Sequence, residues 1–445
     1  MPIPFTLHTE KTYQTIEGFG ASGAWWAQLV GGWPEGIRRE ILKLLYSKTE
    51  GLGMATYRYN LGGGSKESGR GNYWTPMRRA SSFLKEDGGY DWNRDAEAVW
   101  CLKEAVRLGA DDVVLFANSP PERWTVTGAA QGSIPFKANL RRRHEADFTR
   151  YVLDVTEHFL AEGIPVTFVS PINEPFGPWI DKAGQEGCHY HPAGVRRLMR
   201  RFAEEMDKRP ALQNVLLSGA ENNDLRLMNK TYTRAVLDDP VIRARLDGID
   251  VHGYVFQPLK FLRDAGVAQR FRSYMDRRYP GVPVRMSEWT HMQGGRDYGM
   301  GSALEQCRVM MQDLAILNVV SWQCWVAVSE ADYCDGLIYI NPETQTFDIP
   351  KRYYAFGNFS VHVPRGSVRV EVTGPSPAPG AIAFRRPDGK TAVIFRNPGD
   401  AANVSLAQSG AGVLYVTDEL RSLAAQKIQL DRIPLPARSV CTVVL

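Results

Sequence analysis

The chain has 445 residues, of which 44% are hydrophobic and 23% are charged, and its formal net charge is +4. This length favours one large domain and one smaller domain of a globular protein. The small net charge excludes the strong electrostatic field that attracts nucleic acid or an anionic membrane.

The cysteine spacing indicates no metal site, and the N-terminal residues indicate no signal peptide. The six cysteines, at positions 101, 188, 307, 324, 334 and 441, have no CxxC or other metal-binding spacing, and we expect reduced thiols. No apolar run reaches the roughly 18 residues that a membrane-spanning helix needs. Residues 1–8 lack the basic and apolar regions of a signal peptide. The sequence as written therefore predicts a cytoplasmic protein, or a secreted one if a signal peptide has been trimmed.

From about residue 17 to residue 360, apolar strand signals alternate with amphipathic helix signals. The strand signals lack period-two alternation, which is typical of strands buried on both faces. Eight such strand–helix units predict an α/β fold, a (β/α)8 TIM barrel, rather than an open doubly wound sheet. The polar connection over 65–90, which contains Trp74, has the length of a functional loop. The predicted strands are 16–26, 53–60, 112–118, 166–172, 214–219, 248–254, 282–289 and 319–325, and the predicted helices are 34–46, 91–108, 142–162, 192–208, 225–237, 259–278, 301–318 and one from about 353.

After Pro364 the pattern changes to short alternating strands separated by proline- and glycine-containing turns. About six strands at ~10-residue spacing predict a β-sandwich. The first fifteen residues also alternate, and we expect them to join this sheet and the sandwich to support the barrel. The predicted division is 1–16 for the N-terminal strands of the side β-sandwich, 17–362 for the barrel and 363–445 for the C-terminal part of the sandwich.

Two of the predicted barrel strands end in a glutamate. One apolar run stops at Asn173-Glu174-Pro175, and another ends in Ser-Glu288-Trp289. The two glutamates are 114 residues apart (288 minus 174), or about three strand–helix units, so both should lie at the carboxyl-terminal rim of the barrel. Either glutamate alone could be an ion-paired strand terminus. Together they are the two carboxylates that glycoside hydrolysis requires.

Other strand ends supply residues that suit a sugar site. Arg58 could hold Glu288 ionised by lowering its pKa, and Asn173 could bind a sugar 2-hydroxyl. His252 and Tyr254 alternate on the sixth strand, so both face the rim only if the strand bends; we expect Tyr254 to donate a hydrogen bond to Glu288. The alternatives are a structural ion network for Arg58 and core packing for tryptophans. Of the 11 tryptophans, three at predicted strand ends are candidate sugar platforms: Trp124, Trp322 and Trp325.

Motifs along nearly the whole chain occur in a specific order. They are Gln14-x-x-x-Gly18-Phe-Gly-Ala-Ser, Tyr57-Arg-Tyr-Asn-Leu-Gly-Gly-Gly64, Ser119-Pro-Pro-Glu-Arg-Trp124, Ser170-Pro-Ile-Asn-Glu-Pro175 and Met286-Ser-Glu-Trp289. Together they resemble glycoside hydrolase family 30. The resemblance implies a (β/α)8 barrel with a side β-sandwich built from both termini. It also implies retention of anomeric configuration, with Glu174 as acid/base, Glu288 as nucleophile, Arg58 beside the nucleophile and Asn173 before the acid/base.

The substrate class follows less directly from the resemblance. The family includes glucosylceramidases, β-1,6-glucanases, xylanases, fucosidases and β-1,6-galactanases, and the loop 185–190 is similar to that of the endo-β-1,6-galactanase branch. Glu186 or Glu221 could bind galactosyl hydroxyls, or both could be exposed loop acids. The sequence Ser119-Pro-Pro-Glu-Arg-Trp-Thr125 departs from the family's Ser-Pro-Pro-x-Trp-Met, which leaves the role of Trp124 open. We expect a retaining endo-β-1,6-galactanase, with a β-1,6-glucanase or a glucosylceramidase-like β-glycosidase as alternatives.

Two other classes of protein stay open. A metal-dependent hydrolase needs convergent histidine and carboxylate ligands, but the chain has only 8 histidines and His252 has no strand partner of the same kind. A non-catalytic barrel would bind galactan without turning it over. We expect a carbohydrate substrate, no metal, no cofactor, no nucleic acid and a monomer.

Overall fold

The computed structural model describes residues 1–132, 134–254, 265–375 and 380–445. The chain begins with strand β1 (Ile3–Thr15), which belongs to the side sheet, and then enters a parallel barrel. The barrel strands are β2 (Gly18–Ser22), β3 (Thr56–Asn60), β4 (Asp112–Phe116), β5 (Val166–Ser170), β6 (Leu216–Leu217), β7 (Ala220–Asn222), β8 (Ile249–His252), β9 (Val284–Trp289) and β10 (Ser321–Cys324).

These strands are hydrogen-bonded in the order β6-β5-β4-β3-β2-β10-β9-β8-β7, and every pairing is parallel. The end strands β6 and β7 are separated in the chain only by Ser218 and Gly219, so they form two halves of one barrel strand. The sheet therefore closes into a barrel of eight strand positions, which confirms the predicted (β/α)8 fold.

The helices follow the strands as predicted. In α6 a proline occupies the first turn, and Val195, Leu198, Met199 and Phe202 are buried at the spacing of one helix face. All five residues of β4 are buried because helices cover the outside of the barrel and side chains fill its inside. The helices are α1 (Ala27–Val30), α2 (Glu35–Tyr46), α3 (Ser65–Ser68), α4 (Ala96–Leu108), α5 (Glu145–Ala161), α6 (Pro192–Met206), α7 (Leu227–Leu237), α8 (Pro240–Arg243), α9 (Ala265–Arg278), α10 (Met300–Gln312) and α11 (Lys351–Ser360).

The side sheet contains both ends of the chain. Its C-terminal strands are β14 (Val368–Thr373), β15 (Gly380–Arg385), β16 (Thr391–Asn397), β17 (Ala402–Leu406), β18 (Ala411–Thr417), β19 (Ala424–Gln429), β20 (Ile433–Leu435) and β21 (Ser439–Val444). Strand β1 pairs antiparallel with β14 and parallel with β17. A separate apolar core includes Phe5, which packs edge-on against Phe395 with ring centroids 5.3 Å apart.

The sandwich packs against the last two barrel helices. Asn358 of α11 donates a hydrogen bond to the Thr417 hydroxyl at 2.7 Å, and its carbonyl accepts one from Thr442 at 2.9 Å. Because these groups are buried, the contacts fix the sandwich on one side of the barrel. No described helix combines the length and apolar composition needed to cross a membrane.

The structure departs from the predicted elements in several places. The N-terminal strands are one strand, β1, and the fifth barrel strand is interrupted at Ser218 and Gly219. A small sheet of β11 (Val328–Ser329), β12 (Ile338–Asn341) and β13 (Thr346–Asp348) was not predicted, because its strands are only two to four residues long. The predicted start of a helix at 259 lies outside the described residues.

Candidate active site

Glu174 and Glu288 meet at the carboxyl-terminal rim of the barrel. Glu174 follows β5, and Glu288 is the penultimate residue of β9. Their side chains are 15% and 5% exposed. An oxygen of Glu174 and an oxygen of Glu288 lie within 4.8 Å of each other. Retaining glycosidases place their two carboxyl groups about 5–5.5 Å apart, whereas inverting enzymes need roughly 6.5–9.5 Å. The separation therefore suits direct attack on a sugar by one of the two carboxylates.

The backbone at Glu174 is strained. Its φ is +45°, in the left-handed region that non-glycine residues seldom adopt, and Glu221 has the same φ. The Glu174 amide donates a hydrogen bond to the Glu221 carbonyl at 2.9 Å, which ties the two strand ends together. Such strain is typical of functional sites, where the surrounding structure holds a residue in an unfavourable conformation.

Arg58 of β3 lies between two of the carboxylates. Its guanidinium donates to Glu288 Oε2 at 3.0 Å and to Glu221 Oε2 at 2.7 Å, and the side chain is buried. The predicted proximity of Arg58 to Glu288 is therefore present. Two charge-assisted hydrogen bonds from one planar guanidinium fix the position of both acceptors.

His252 is the second buried cation. The β8–β9 pairing shifts register between Val251 and His252, with Ser287 as the extra residue of β9, so that His252 lies opposite Glu288. Nδ1 lies 3.1 Å from Glu174 Oε1, and Nε2 lies 3.1 Å from Glu221 Oε2 and 3.6 Å from Glu288 Oε2. Burial lowers the pKa of His252, but the charge of Glu288 and the hydrogen bonds to Glu174 and Glu221 outweigh it and raise the pKa to about 10. The surrounding carboxylates therefore favour the imidazolium form of His252.

The pKa of Glu288 is raised above its ordinary value. Burial is the largest cause; the charges of His252 and Arg58 lower the pKa, and the charge of Glu174 raises it. Arg58 lowers the pKa of Glu288, as predicted, but burial of the carboxyl outweighs this contribution and the net pKa is raised.

Glu221 does not face the cavity, contrary to the prediction that it could bind a galactosyl hydroxyl. Its side chain is fully buried and accepts hydrogen bonds from Arg58 and, at 2.6 Å, from Ser218. Burial raises the pKa of Glu221, but the charge of Arg58 and the contact with His252 lower it to about 2. Glu221 is thus the ionised anchor of both cations beneath the site.

Tyr254 and Asn173 line the cavity that contains the two glutamates. The Asn173 amide donates to Asn118 Oδ1 at 2.9 Å, while its own Oδ1 has no hydrogen-bond partner among the described residues. The Tyr254 hydroxyl has no hydrogen-bond partner of good geometry in the described part of the chain, but it lies close enough to Glu288 for this carboxyl to raise its pKa, so the bond to Glu288 stays a prediction. Burial and then the charge of Glu288 raise the pKa of Tyr254 well above its usual value. Both groups are thus free to bind a ligand.

Of the three tryptophans proposed as sugar platforms, only Trp325 lines the cavity. Trp322 is fully buried and donates to Asp313 Oδ2 at 2.9 Å, because it points out of β10 towards the helices. Trp124 is also buried, and it packs against the rings of His144 and Tyr151. The predicted platforms at Trp124 and Trp322 are therefore core residues.

Glu186 is not a sugar ligand in this structure either. It is fully buried, accepts hydrogen bonds from the Gly63 amide at 2.8 Å and the Ser65 hydroxyl at 2.6 Å, and does not line the cavity. Burial raises the pKa of Glu186 to about 8. Its carboxyl joins the loop after β5 to the loop after β3.

The cavity has a volume of about 290 Å³ and includes residues that the sequence analysis missed. Trp179 lies in the loop after β5 and donates through its indole to the Glu174 carbonyl at 2.9 Å. The signal that could have found these residues is their position, because all of them lie in loops that follow predicted barrel strands. The missed lining residues are Trp179, Ala183, Gln185, Asn223, Asp224 and Met292.

The group Glu174, His252 and Glu288 is close enough to hold a metal ion. A histidine ligand must be neutral and must offer a lone pair. Both ring nitrogens of His252 already contact carboxylates, which favour its protonated form and leave no ring nitrogen turned towards a shared ion. The three groups therefore suit an ion network better than a metal centre.

The fold and the paired carboxylates define a class, the barrel glycosidases. The family model "O-Glycosyl hydrolase family 30" matches residues 3–238 and 287–339, and the model "Glycosyl hydrolase family 30 beta sandwich domain" matches residues 366–443. The chain belongs to glycoside hydrolase family 30 and is a glycosidase, which excludes the expected alternative of a non-catalytic barrel.

Known proteins with similar sequences match most of the chain. The endo-β-1,6-galactanase of Hypocrea rufa is 24% identical over 429 residues, which cover 90% of this chain and 82% of that protein. The putative glucosylceramidase 2 of Caenorhabditis elegans is 22% identical over 435 residues, with coverages of 91% and 78%. The solved structure of a conserved exported protein from Bacteroides fragilis has a TM-score of 0.87 at 22% identity and covers 99% of this chain and 100% of that one. The structural likeness shows a shared fold.

Proposed function

We propose that this glycosidase is a retaining endo-β-1,6-galactanase, in which Glu288 is the nucleophile and Glu174 the acid/base. The observation that carries the mechanism is the approach of the two carboxylates within one cavity. A separation of this size leaves no room for a water molecule between the sugar and the second carboxylate.

In the first step, Glu288 Oε1 attacks the anomeric carbon, because Oε2 accepts the hydrogen bond from Arg58. The glycosidic C–O bond breaks, and Glu174 gives its proton to the leaving oxygen. His252 contacts Oε1 of Glu174, so Oε2 is the oxygen that carries this proton. A glycosyl ester on Glu288 results.

In the second step, Glu174 is a carboxylate and takes a proton from water. The water oxygen attacks the anomeric carbon, and the ester bond to Glu288 breaks. Asn173 Oδ1 and the Tyr254 hydroxyl, which have no partner among the described residues, bind hydroxyls of the sugar during both steps. Two inversions restore the original anomeric configuration.

The substrate is supported by the galactanase from Hypocrea rufa, which matches 90% of this chain. A second candidate, a glucosylceramidase-like β-glycosidase, is supported by the Caenorhabditis elegans relative at similar coverage. The two candidates differ in the glycone and in whether the enzyme cuts within a chain.

A substrate panel separates these candidates. Purified protein is incubated with β-1,6-galactan, β-1,6-glucan and glucosylceramide, products are sized, and the first-formed anomer is read by proton NMR. We expect galacto-oligosaccharides of several lengths with the β configuration retained. Activity only on glucosylceramide or glucan would refute the proposed substrate, and an initial α product would refute the mechanism.

A further inference from the structure

Trp74 is a large apolar side chain that the proposed chemistry does not use. It lies in the long connection between β3 and α4 and is 67% exposed, whereas every other tryptophan is buried or half-buried. Exposing an indole costs hydrophobic free energy. Exposed aromatic rings next to a cleft are therefore candidates for ligand binding.

The exposed ring is held in place. The Trp74 amide donates to the Gly184 carbonyl at 3.2 Å, and the ring lies so close to Gly184 that an added Cβ there would be 2.1 Å from Trp74 Cδ1. The Arg78 guanidinium lies 4.4 Å from the ring centroid. A rigid platform loses little conformational entropy when it binds a ligand.

The same contacts connect Trp74 to the catalytic cavity. Arg78 also lies over Trp25 at 4.6 Å, and Trp25 packs edge-on against Trp325 with centroids 5.2 Å apart. Arg78 further donates to Gln185 Oε1 at 3.3 Å. Trp325 and Gln185 both line the cavity, so Trp74 is linked through Arg78 to that lining without belonging to it.

We propose that Trp74 is a platform for one galactosyl unit of the polysaccharide outside the catalytic cavity. The apolar face of a pyranose stacks on an indole, while its hydroxyls stay in water. This contact makes the enzyme prefer long chains and cut within them. The inference rests on the proposed function, because it takes β-1,6-galactan as the chain that is bound.

The test compares Trp74→Ala with the wild type on β-1,6-galacto-oligosaccharides from biose to hexaose. We expect Trp74→Ala to lower kcat/KM on the hexaose about tenfold, through a higher KM. The kcat/KM on the shortest oligosaccharide that the wild type cleaves should stay unchanged. Trp74→Phe should restore most of the loss.

The matched control is Trp100→Ala. Trp100 also stacks with an arginine, Arg38 at 3.9 Å, but it lies on α4 and does not line the cavity. This variant should leave the chain-length dependence unchanged, and thermal unfolding should show that all variants fold.

Equal hexaose kinetics for Trp74→Ala and the wild type would overturn the platform. The platform would also be overturned if the wild type forms a concentration-dependent dimer that Trp74→Ala alone loses while its kinetics stay unchanged. The ring would then contact a second copy of the chain. A wild type that cleaves no galacto-oligosaccharide overturns the proposed substrate and this inference with it. The two failures are distinguishable because the second is already seen with the wild type, whereas the first is seen only when Trp74→Ala is compared with it.

Discussion

The charge on Glu288 depends on two buried cations. His252 and Arg58 share the carboxylates of Glu174, Glu221 and Glu288, so the described network contains three acids and two bases. Burial favours the neutral forms of Glu221 and Glu288, and the cations oppose it. We therefore assign His252 and Glu221 as positioning residues that act through the two glutamates of the cavity.

His252→Gln removes one of the two cations and should raise the pKa of Glu288 further. The acid limb of the kcat/KM profile reports this group in the free enzyme, so it should move to higher pH, with a drop in activity of about 10- to 100-fold at pH 6. The measurement is a pH profile from 4 to 10 for both proteins.

Stability supplies a second readout of the same variant. The pKa of His252 is raised to about 10 from roughly 6.5 in an unfolded chain. Its contribution to the free energy of unfolding is therefore fully present below pH ~6.5 and is lost as pH rises through about 10. His8→Gln, on the side sheet, is the control. An unmoved acid limb in His252→Gln would contradict the assigned role.

The loop after β5 is held at several points. Glu186 binds the Gly63 amide and the Ser65 hydroxyl, Gly184 lies under Trp74, and Trp179 binds the Glu174 carbonyl. Because Trp179 and Gln185 line the cavity, the position of this loop sets the shape of the site.

Glu186→Gln tests the buried carboxyl of this loop. Glu186 stays protonated in the folded protein up to about pH 8 but ionises above pH ~4.3 when unfolded, so wild-type folding becomes less favourable as pH rises between these values. Glutamine can accept the Gly63 bond with its carbonyl oxygen and donate to the Ser65 hydroxyl with its amide nitrogen, and it does not ionise. We expect the Tm of Glu186→Gln, relative to wild type, to be about 1–3 °C higher at pH 8 than at pH 5.

The exposed Glu343→Gln provides the control for this comparison and should change the Tm equally at both pH values. A pH-independent Tm difference between Glu186→Gln and the wild type would show that Glu186 is not the titrating group.

The two ends of the chain meet in one sheet, which joins the stability of the sandwich to that of the barrel. Strand β1 lies between β14 and β17, and its Phe5 fills the sandwich core. The chain passes directly from β1 into barrel strand β2. Loss of β1 from the sheet would therefore also loosen the start of the barrel.

Phe5→Ala should destabilise the protein by about 3–5 kcal/mol, because it leaves a cavity between β1 and β16. We expect a lower urea midpoint and unchanged kcat/KM at 25 °C, since Phe5 does not line the catalytic cavity. Phe136→Ala, at a residue that is 45% exposed, is the control. An unchanged midpoint for Phe5→Ala would refute a structural role of β1.

The barrel, its order of elements and the positions of Glu174, Glu288 and Arg58 could be predicted because they depend on local patterns at strand ends. The directions of Trp124, Trp322, Glu186 and Glu221 could not. The direction of each of these side chains depends on where its strand ends and, for Glu221, on a positive φ. None of these has a local sequence signature.

The short strands β11 to β13 escaped prediction for a related reason. Their pairing depends on contacts between segments after the barrel has closed, rather than on the alternation within each segment. Trp74 shows the converse: the length of its loop indicated a function, but only the contacts with Gly184 and Arg78 show what holds its ring.

Covalent trapping of the nucleophile tests the proposed mechanism most directly. Protein incubated with a 2-deoxy-2-fluoro-β-1,6-galactobiosyl fluoride is digested and analysed by mass spectrometry. We predict one fluoroglycosyl ester per chain, on Glu288, with no label in Glu288→Ala. Labelling of Glu174, or of another residue in place of Glu288, would contradict the assignment of Glu288 as nucleophile.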